Sequence, residues 1–282
     1  MFTFAVLFWV NLLFKFLIMK NILVPIGTSN NVKNHLQYAI DFANAFGARL
    51  YVVQVYNVYT KAGTMIKVDH ILERESNDYL DSLLNEVDTK GVEIVKRVLK
   101  GKLISTLELA CKKGEIDLML IEPRTTSIKD EVFLGKTSGQ IIKRTQIPAL
   151  IVPEGTVFKP ITRILMAVKS AIIRKEGVLN PLKDIQNNFD SIISLLLVKT
   201  PYYNDGDFDV KQELSSIVNN TTKTENATTF QGVLEHYKTN DPDMLCVVRR
   251  KRGFFMKKWE KNVIKKRDFH SPIPVLVLRG MK

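Results

Sequence analysis

The chain repeats itself, and the spacing of the repeat constrains the fold more than any other feature of its 282 residues. Asp117 begins the apolar run DLMLI, and Asp243 begins the corresponding run DMLCV. A proline follows each aspartate 31 residues later, at Pro148 and Pro274, and leads into a second apolar run. Two copies with so long a period indicate one duplicated domain, because solenoids repeat at shorter periods and in more copies.

Within each copy, apolar runs alternate with segments of helical periodicity. In the first copy we predict strands at 22–26, 50–55, 92–98, 118–121 and 149–152, and helices at 32–46, 71–87, 103–113 and 135–144. Gly47 stands where a left-handed residue commonly ends a helix. Uniformly apolar strands that alternate with helices are typical of parallel sheets buried on both faces. The pattern therefore predicts two tandem doubly wound, Rossmann-like α/β domains that pair as an intramolecular pseudo-dimer.

The second copy follows the same plan in a shortened form. Its first two strands are predicted at 164–168 and 192–198, and its last two at the repeated apolar runs. The shortening falls within 200–229, a polar stretch that we interpret as loop and irregular helix. We place the first domain at 19–155 and the second, divergent domain at 160–282, because a short joint containing proline and glycine separates them.

Residues 1–18 form an apolar N-terminal extension that we exclude from the fold. The segment lacks the basic start and the small-residue cleavage site of a signal peptide, and it is short for a spanning helix. It also runs into the first strand without a linker. We interpret it as a mis-called start with Met19 as the initiator, and a membrane anchor is the alternative.

The sequence offers little for catalysis or metal binding. Two cysteines and four histidines are scattered, with no ligand spacing and no disulfide framework. No serine lies in a nucleophile elbow, and no pairing of histidine with cysteine or aspartate is suggested by position. We therefore expect no metal site and no enzyme.

Several short motifs resemble those of tandem universal stress proteins. They are ILVP at 22–25, FGA at 46–48, DL at 117–118, FLG at 133–135 and IPALIV at 147–152, with fainter counterparts at 243–245 and 271–278. The resemblance implies two five-stranded parallel sheets that pair about a pseudo-two-fold axis, often through their last strands. It also implies a cytoplasmic stress-response protein, in a family of which some members bind ATP or AMP.

The residues that would hold a nucleotide are largely missing. The resemblance implies a loop with Gly, two residues, Gly, nine residues, and then Gly with Ser or Thr, and glycines there let N–H groups surround phosphates. In the first copy these positions are Glu122, Thr125, Gly135 and Lys136, and in the second they are Val248, Lys251, Lys261 and Asn262. Gly27 and Lys169 replace the acidic residue implied after the first strand. We expect both nucleotide sites to be degenerate and no cofactor to be bound.

One alternative is that the 124–138 loop of the first copy still binds ATP, AMP or a phosphate. Its donors and its helix start could hold an anion without the glycine pattern. The candidate residues are Arg124, Thr125, Gly135, Lys136, Thr137 and Ser138.

A second alternative concerns the basic segment 249–267, which holds ten lysines and arginines and one acid in a chain of net charge +12. We predict an amphipathic helix at 253–267, and a solvated helix face is its simpler interpretation. The segment could instead make the chain an adaptor that docks on nucleic acid or an anionic membrane, which we do not favour. The candidate anion-binding residues of the second domain are Arg249, Arg250, Lys251 and Arg252, at the end of a strand where doubly wound sheets bind ligands.

The sequence thus predicts a regulatory or binding protein without ATPase activity. Its expected partners are its own second domain, a further copy of the tandem chain and an unidentified protein.

Overall fold

The computed structural model describes residues 19–57, 65–123, 136–250 and 272–280, without the side chains of 65–67, 136–138, 143, 250 and 280. The strands are β1 (Asn21–Ile26), β2 (Arg49–Tyr56), β3 (Ile94–Lys100), β4 (Leu118–Ile121), β5 (Ala149–Ile151), β6 (Arg163–Val168), β7 (Ile192–Lys199), β8 (Asn220–Glu225), β9 (Met244–Arg250) and β10 (Val275–Gly280). The helices are α1 (Val32–Phe46), α2 (Met65–Asn85), α3 (Leu103–Lys113), α4 (Lys136–Arg144), α5 (Asn180–Phe189), α6 (Gln212–Ser215) and α7 (Thr229–Asn240).

All ten strands belong to one sheet, in the order β3-β2-β1-β4-β5-β10-β9-β6-β7-β8. The strands are parallel within each half, and the halves meet where β5 and β10 pair antiparallel, with Leu150 opposite Leu276. The second half therefore repeats the strand order of the first in reverse along the sheet. This arrangement confirms the predicted fold class and the pairing of the two copies through their last strands.

The sheet is buried from both sides, as its apolar central strands predict. Each residue of β4 is buried, and so are Ile22, Leu23 and Val24 of β1. One apolar cluster lies on the face covered by α1, α2 and α5, and a second lies on the face covered by α3, α4 and α7. Gly47 ends α1 with φ 60°, as predicted, because the left-handed conformation is easily accessible to glycine.

The two repeated aspartates fasten the central strand of each half at its start. Asp117 Oδ2 accepts hydrogen bonds from the backbone N–H groups of Lys20 and Asn21, at 2.8 and 2.9 Å. Asp243 Oδ2 accepts the equivalent bonds from Thr162 and Arg163, at 3.1 and 3.0 Å. The aspartate recurs because each copy must satisfy the same backbone donors at the entry to β1 or β6.

Asp243 is held more firmly than a surface carboxylate. Its Oδ1 accepts a hydrogen bond from Lys159 Nζ at 2.7 Å, and Thr162 Oγ1 donates to Oδ2 at 2.8 Å. Burial raises the pKa of Asp243, but the hydrogen bonds from Lys159, Thr162 and Arg163 outweigh it and hold the pKa at about 2. The ionised form is therefore the one that stabilises the fold.

An aromatic cluster joins the halves beneath the sheet. Phe42 and Phe46 of α1 stack with ring centroids 4.8 Å apart, and Phe158 of the joint packs edge-on against Phe42 and Tyr38. Phe189 of α5 packs at 90° against Phe46, with centroids 5.4 Å apart. Edge-to-face packing of this kind contributes about 0.5–1.5 kcal/mol per pair beyond area burial. The first helix of each half thus contributes to one shared core.

Asp184 is a buried carboxylate on α5, close to the first half. Its side chain is 9% exposed, and Oδ1 has no hydrogen-bond partner in the described parts of the chain. Burial and the nearby Asp117 raise the pKa of Asp184 to about 7, although the backbone N–H of Met19 donates to it and lowers the value. The second half therefore presents a carboxyl group that is partly protonated at neutral pH.

The interpretation of 200–229 as loop and irregular helix is wrong in one respect. The region contains the short helix α6, and it also contains β8, which pairs in parallel with β7 at the edge of the sheet. Five of the six residues of β8 are exposed, so the strand has no apolar alternation to reveal it. Its threonines favour extended backbone, and polar residues protect an edge strand from further pairing.

Two predicted segments lie outside the described residues. These are the apolar extension 1–18 and the amphipathic helix 253–267. None of the helices in the described parts is long and apolar enough to cross a membrane. The domain boundaries at 155 and 160 stay a prediction.

We expect Asp243→Ala to lower the free energy of unfolding by about 2–4 kcal/mol, because the N–H groups of Thr162 and Arg163 and the Lys159 ammonium lose a charged acceptor. The loss should shrink as pH falls through about 2. The carboxylate stabilises the fold only while it is ionised, and below its depressed pKa it is protonated. Denaturant unfolding from pH 7 to pH 2 measures both effects. The control is Asp241→Asn, because asparagine tolerates the left-handed φ of 37° at this position. The Asp241 side chain is 76% exposed and pairs with Arg163, and loss of its charge should cost about 0–1 kcal/mol. Equal losses in the two variants would contradict the role of Asp243.

We expect Asp184→Asn to raise stability at pH 8 by roughly 1–3 kcal/mol, because the asparagine needs no buried charge. The pKa is raised, so the folded wild type keeps a proton that the unfolded chain releases between about pH 4 and 7. Wild-type stability should fall across that window, and the variant should lose this dependence. Urea unfolding at pH 5 and pH 8 measures the difference. The exposed Asp190→Asn at the end of α5 is the control, and an unchanged pH profile in Asp184→Asn would refute the prediction.

Candidate functional site

The carboxyl ends of β1 and β4 lie side by side in the sheet, because these two strands pair in parallel. Doubly wound sheets bind their ligands at this edge. The loop 27–31 follows β1, and Glu122 follows β4 directly. The first copy therefore brings Glu122, a residue of the implied nucleotide loop, against the loop after β1.

The Glu122 carboxylate is hydrogen-bonded through both of its oxygens to that loop. Ser29 Oγ donates to Oε2 at 2.6 Å, and Asn31 Nδ2 donates to Oε1 at 2.7 Å. Asn31 is 8% exposed, and its own Oδ1 accepts a hydrogen bond from Asn34 at 3.1 Å. We call Ser29, Asn31 and Glu122 the crevice network. It links the two loops between which a ligand would have to enter.

The crevice network places a negative charge next to the start of α1. Asn31 immediately precedes the first residue of α1, and the N-terminal end of a helix attracts anions. Glu122 supplies that anion from within the protein. A phosphate nearby would meet the Glu122 carboxylate, and like charges 4 Å apart repel by about 4 kcal/mol at the effective dielectric of a protein surface.

The neighbouring Gly27 is also fixed by the fold. The Tyr79 hydroxyl of α2 donates to the Gly27 carbonyl at 3.1 Å, so α2 holds the loop from the side. Gly27 stands where the resemblance implies an acidic residue for a ribose or base. The only carboxylate of the crevice network is thus on the opposite loop, and two of its acceptor sites are already used.

In the second copy, a turn of the chain lies against the corresponding loop, the one after β6. A turn at 204–209 follows β7 and lies against the loop after β6, where the N–H of Ala171 donates to the Asp207 carbonyl at 2.6 Å. Ala171 is 1% exposed, and Tyr203 packs against Phe208 with centroids 4.9 Å apart. Lys169 precedes this covered loop. The chain itself therefore covers the carboxyl end of β6.

The sequence-predicted residues of the first domain fall mostly outside the described parts. Arg124, Thr125 and Gly135 belong to the undescribed segment 124–135, while Lys136, Thr137 and Ser138 begin α4 without described side chains. The anion-binding role assigned to these six residues stays a prediction. Sequence analysis did not single out Ser29 and Asn31, although a hydroxyl and an amide in the turn after the first strand were a usable signal.

Arg249, the first residue of the predicted basic site, contacts the first half. Its guanidinium donates to the Ile142 carbonyl in the last turn of α4, which also accepts from Arg279 at 2.9 Å. Arg279 donates further to Gln146 Oε1 at 2.9 Å. Burial and the nearby Arg249 lower the pKa of Arg279 to about 10, so it remains charged at neutral pH. Two cations at the C-terminal end of a helix complement its dipole.

The remaining residues of the basic site are not described as side chains. Arg250 ends β9, and Lys251 and Arg252 lie outside the described residues. Their anion-binding role also stays a prediction. For Arg249, the contact with Ile142 identifies a structural partner that the sequence did not suggest, because the two residues are 107 positions apart.

The cysteines give no reactive centre. Cys111 and Cys246 are both buried, and burial raises the pKa of each thiol, to about 12 for Cys111. A raised pKa keeps a thiol protonated and a weak nucleophile. Among the residues that the structure describes, no three histidine, cysteine or acidic side chains are grouped as metal ligands would be.

Known proteins are similar to this chain in sequence and in fold. Residues 19–153 match the universal stress protein family. A universal stress protein of Methanocaldococcus jannaschii is 22% identical over 138 residues, which cover 47% of this chain and 81% of that protein. The crystal structure of a universal stress protein from Archaeoglobus fulgidus matches with a TM-score of 0.72 at 16% identity, over 94% of this chain and 98% of that one. A functionally unknown protein from Pseudomonas aeruginosa matches with a TM-score of 0.58 at 12% identity, over 94% of both chains.

We expect Arg279→Ala to destabilise the junction by about 1–3 kcal/mol, because it removes two hydrogen bonds from a charged group at the end of α4. Backbone amides in the last turn of α4 should exchange with solvent faster than in the wild type. Hydrogen exchange followed by mass spectrometry measures the change. The control is Arg163→Ala, which loses only its ion pair with the 76% exposed side chain of Asp241. Unchanged exchange in α4 would contradict the prediction.

Proposed function

We propose that this chain, whose residues 19–153 match the universal stress protein family, is a regulatory binding member that neither binds nor hydrolyses ATP. The observation that carries the proposal is the crevice network. In it, Glu122 accepts hydrogen bonds at 2.6 and 2.7 Å between the loops after β1 and β4. A carboxylate there takes up the donors of the first loop and repels phosphates.

The second copy supports the same proposal. The bond between Ala171 and Asp207 keeps the 204–209 turn on the loop after β6. A nucleotide would have to displace that turn, together with the packing of Tyr203 on Phe208. On this proposal both nucleotide sites are degenerate, each for a different physical reason, and no cofactor is bound.

The absence of catalysis is part of the proposal. Nucleophilic catalysis needs an activated group, and the two thiols are buried with raised pKa values. We infer that the chain acts by binding rather than by chemistry, in the cytoplasm as the resemblance implies.

One expected partner lies within the chain itself, because the pairing of β5 with β10 joins the two halves in one sheet. We also propose that two tandem chains associate with each other. The chain further binds another protein, whose identity is open. Phosphate binding at 124–138 and docking through 249–267 remain the alternatives.

We expect the wild-type chain to be purified without nucleotide and to gain less than about 1 °C in Tm with millimolar Mg-ATP, because a ligand stabilises only the state that it binds. Native mass spectrometry and thermal unfolding measure the two outcomes. Glu122→Gln should bind ATP more tightly than the wild type, because it removes the charge while an amide oxygen can still accept from Asn31. Glu235→Gln, an exposed change on α7, is the matched control and should leave ATP binding as in the wild type.

A wild-type chain that carries ATP at one per chain, or that releases phosphate from ATP, would overturn the proposal. If Glu122→Gln binds no better than Glu235→Gln, the charge of Glu122 is not what excludes the nucleotide, and the explanation of the degenerate first site fails.

A further inference from the structure

A groove of about 590 Å³ lies between α3 and the outer strands of the first half, away from the crevice network. One face of α3 forms its wall, and β1, β2 and β3 form its floor. The lining residues are Leu23, Tyr51, Val53, Arg97, Leu99, Lys100, Ser105, Thr106, Leu109, Ala110, Lys113 and Gly114. This volume is typical of sites for small molecules.

The groove lies between α3 and the strands beneath it. In the second half α7 takes the place of α3, and Gly232 lets it approach closely. A Cβ at Gly232 would lie 2.9 Å from Val198 Cγ2 and 3.2 Å from Thr224 Cγ2. At the spacing that separates Asp117 from Asp243, the residue corresponding to Gly232 is Thr106, which lines the groove. A side chain at this position prevents the same approach, since helices pack closer where residues are small.

The floor and the wall of the groove are aliphatic. Leu23 and Val53 are buried at the bottom, Leu99 is partly buried, and Leu109 is 54% exposed on the wall. Leu109 and the partly buried Leu99 leave apolar surface in contact with water, and burial of that surface is favourable by about 25 cal/mol per Å². The groove therefore offers binding energy to an apolar chain.

The rim of the groove is positively charged. Arg97, Lys100 and Lys113 line it, and its lining contains no carboxylate. Lys100 pairs with Asp69 at 2.5 Å. Arg97 and Lys113, by contrast, have no carboxylate within ion-pairing distance in the described parts of the chain; Arg97 donates only to the Lys96 carbonyl, at 2.9 Å. Arg97 and Lys113 above an aliphatic floor complement an anionic head on an apolar tail.

We propose that this groove binds a free long-chain carboxylate, with the alkyl chain along α3 and the carboxylate at Arg97 and Lys113. A membrane surface fits less well, because the apolar residues lie at the bottom of a concave groove and cannot enter a bilayer. The site is distinct from the crevice network and independent of whether the chain binds ATP.

The test is isothermal titration of the full chain with dodecanoate below the concentration at which it forms micelles, at low salt. We expect saturable binding with one site per chain, and binding at least tenfold weaker for dodecyltrimethylammonium, which has the same tail and the opposite charge. Arg97→Gln should weaken dodecanoate binding at least threefold and should not weaken the binding of the cationic probe, because it removes a like charge. Raising the salt concentration should weaken dodecanoate binding in the wild type more than in Arg97→Gln.

Two leucine variants provide a matched pair. Leu109→Glu puts a carboxylate on the groove wall and should weaken dodecanoate binding at least tenfold. Leu234→Glu makes the same change on α7, where the leucine is also 54% exposed, and should bind as the wild type does. Both positions are exposed, so both variants should fold, and thermal unfolding checks this. Absence of saturable dodecanoate binding in the wild type, or equal binding by Leu109→Glu and Leu234→Glu, would overturn the proposal.

Discussion

The antiparallel pairing of β5 with β10 is the interaction on which the rest of the structure depends. β5 is only three residues long and wholly apolar, and Ala149, Leu150 and Ile151 lie opposite Val277, Leu276 and Val275. Unpaired, it would be a bare apolar sheet edge, which invites aggregation. Paired, it lets both apolar layers continue from one half into the other. The aromatic cluster around Phe158 and the arginine contacts to Ile142 reinforce the same junction from the two faces.

The two copies agree at the start of their central strands and differ at the carboxyl ends of β1 and β6. Asp117 and Asp243 make the same pattern of bonds to the strand beside them, because that strand starts with the same unsatisfied N–H groups in both halves. The carboxyl ends of β1 and β6 have no such common demand. One is occupied by the Glu122 carboxylate and the other by a turn of the chain. Divergence at these two places is physically inexpensive, since neither change disturbs the paired strands.

Much of the fold could be predicted from the sequence, because its central elements are strongly periodic. The bounds of α3 and β4 agree with the prediction to the residue, and those of β1 and α1 agree to within one. β8 could not be predicted, since an exposed edge strand carries no apolar pattern and depends on its neighbour β7 for its hydrogen bonds.

The candidate site was less accessible to sequence analysis. Glu122 was placed at the right loop, but its partner Ser29 is 93 residues away, and no local pattern reports such a contact. The groove beside α3 lies between a helix and the strands beneath it, and the sequence does not give the packing of those two layers. Contacts between distant segments and the spacing of layers are therefore what the sequence alone did not reveal.

The joint at 154–160 has a consequence for how such a molecule can change over time. Where two separate identical subunits pair about a two-fold axis, every substitution at their contact occurs twice and must be compatible with its own image. Here a residue such as Phe158 or Asn188 occurs once, and Asn188 contacts the Ala45 carbonyl without a symmetric counterpart having to exist. The linkage also keeps the halves together at any dilution, because their association is intramolecular. Either half can therefore lose or acquire a binding surface while the other preserves the sheet.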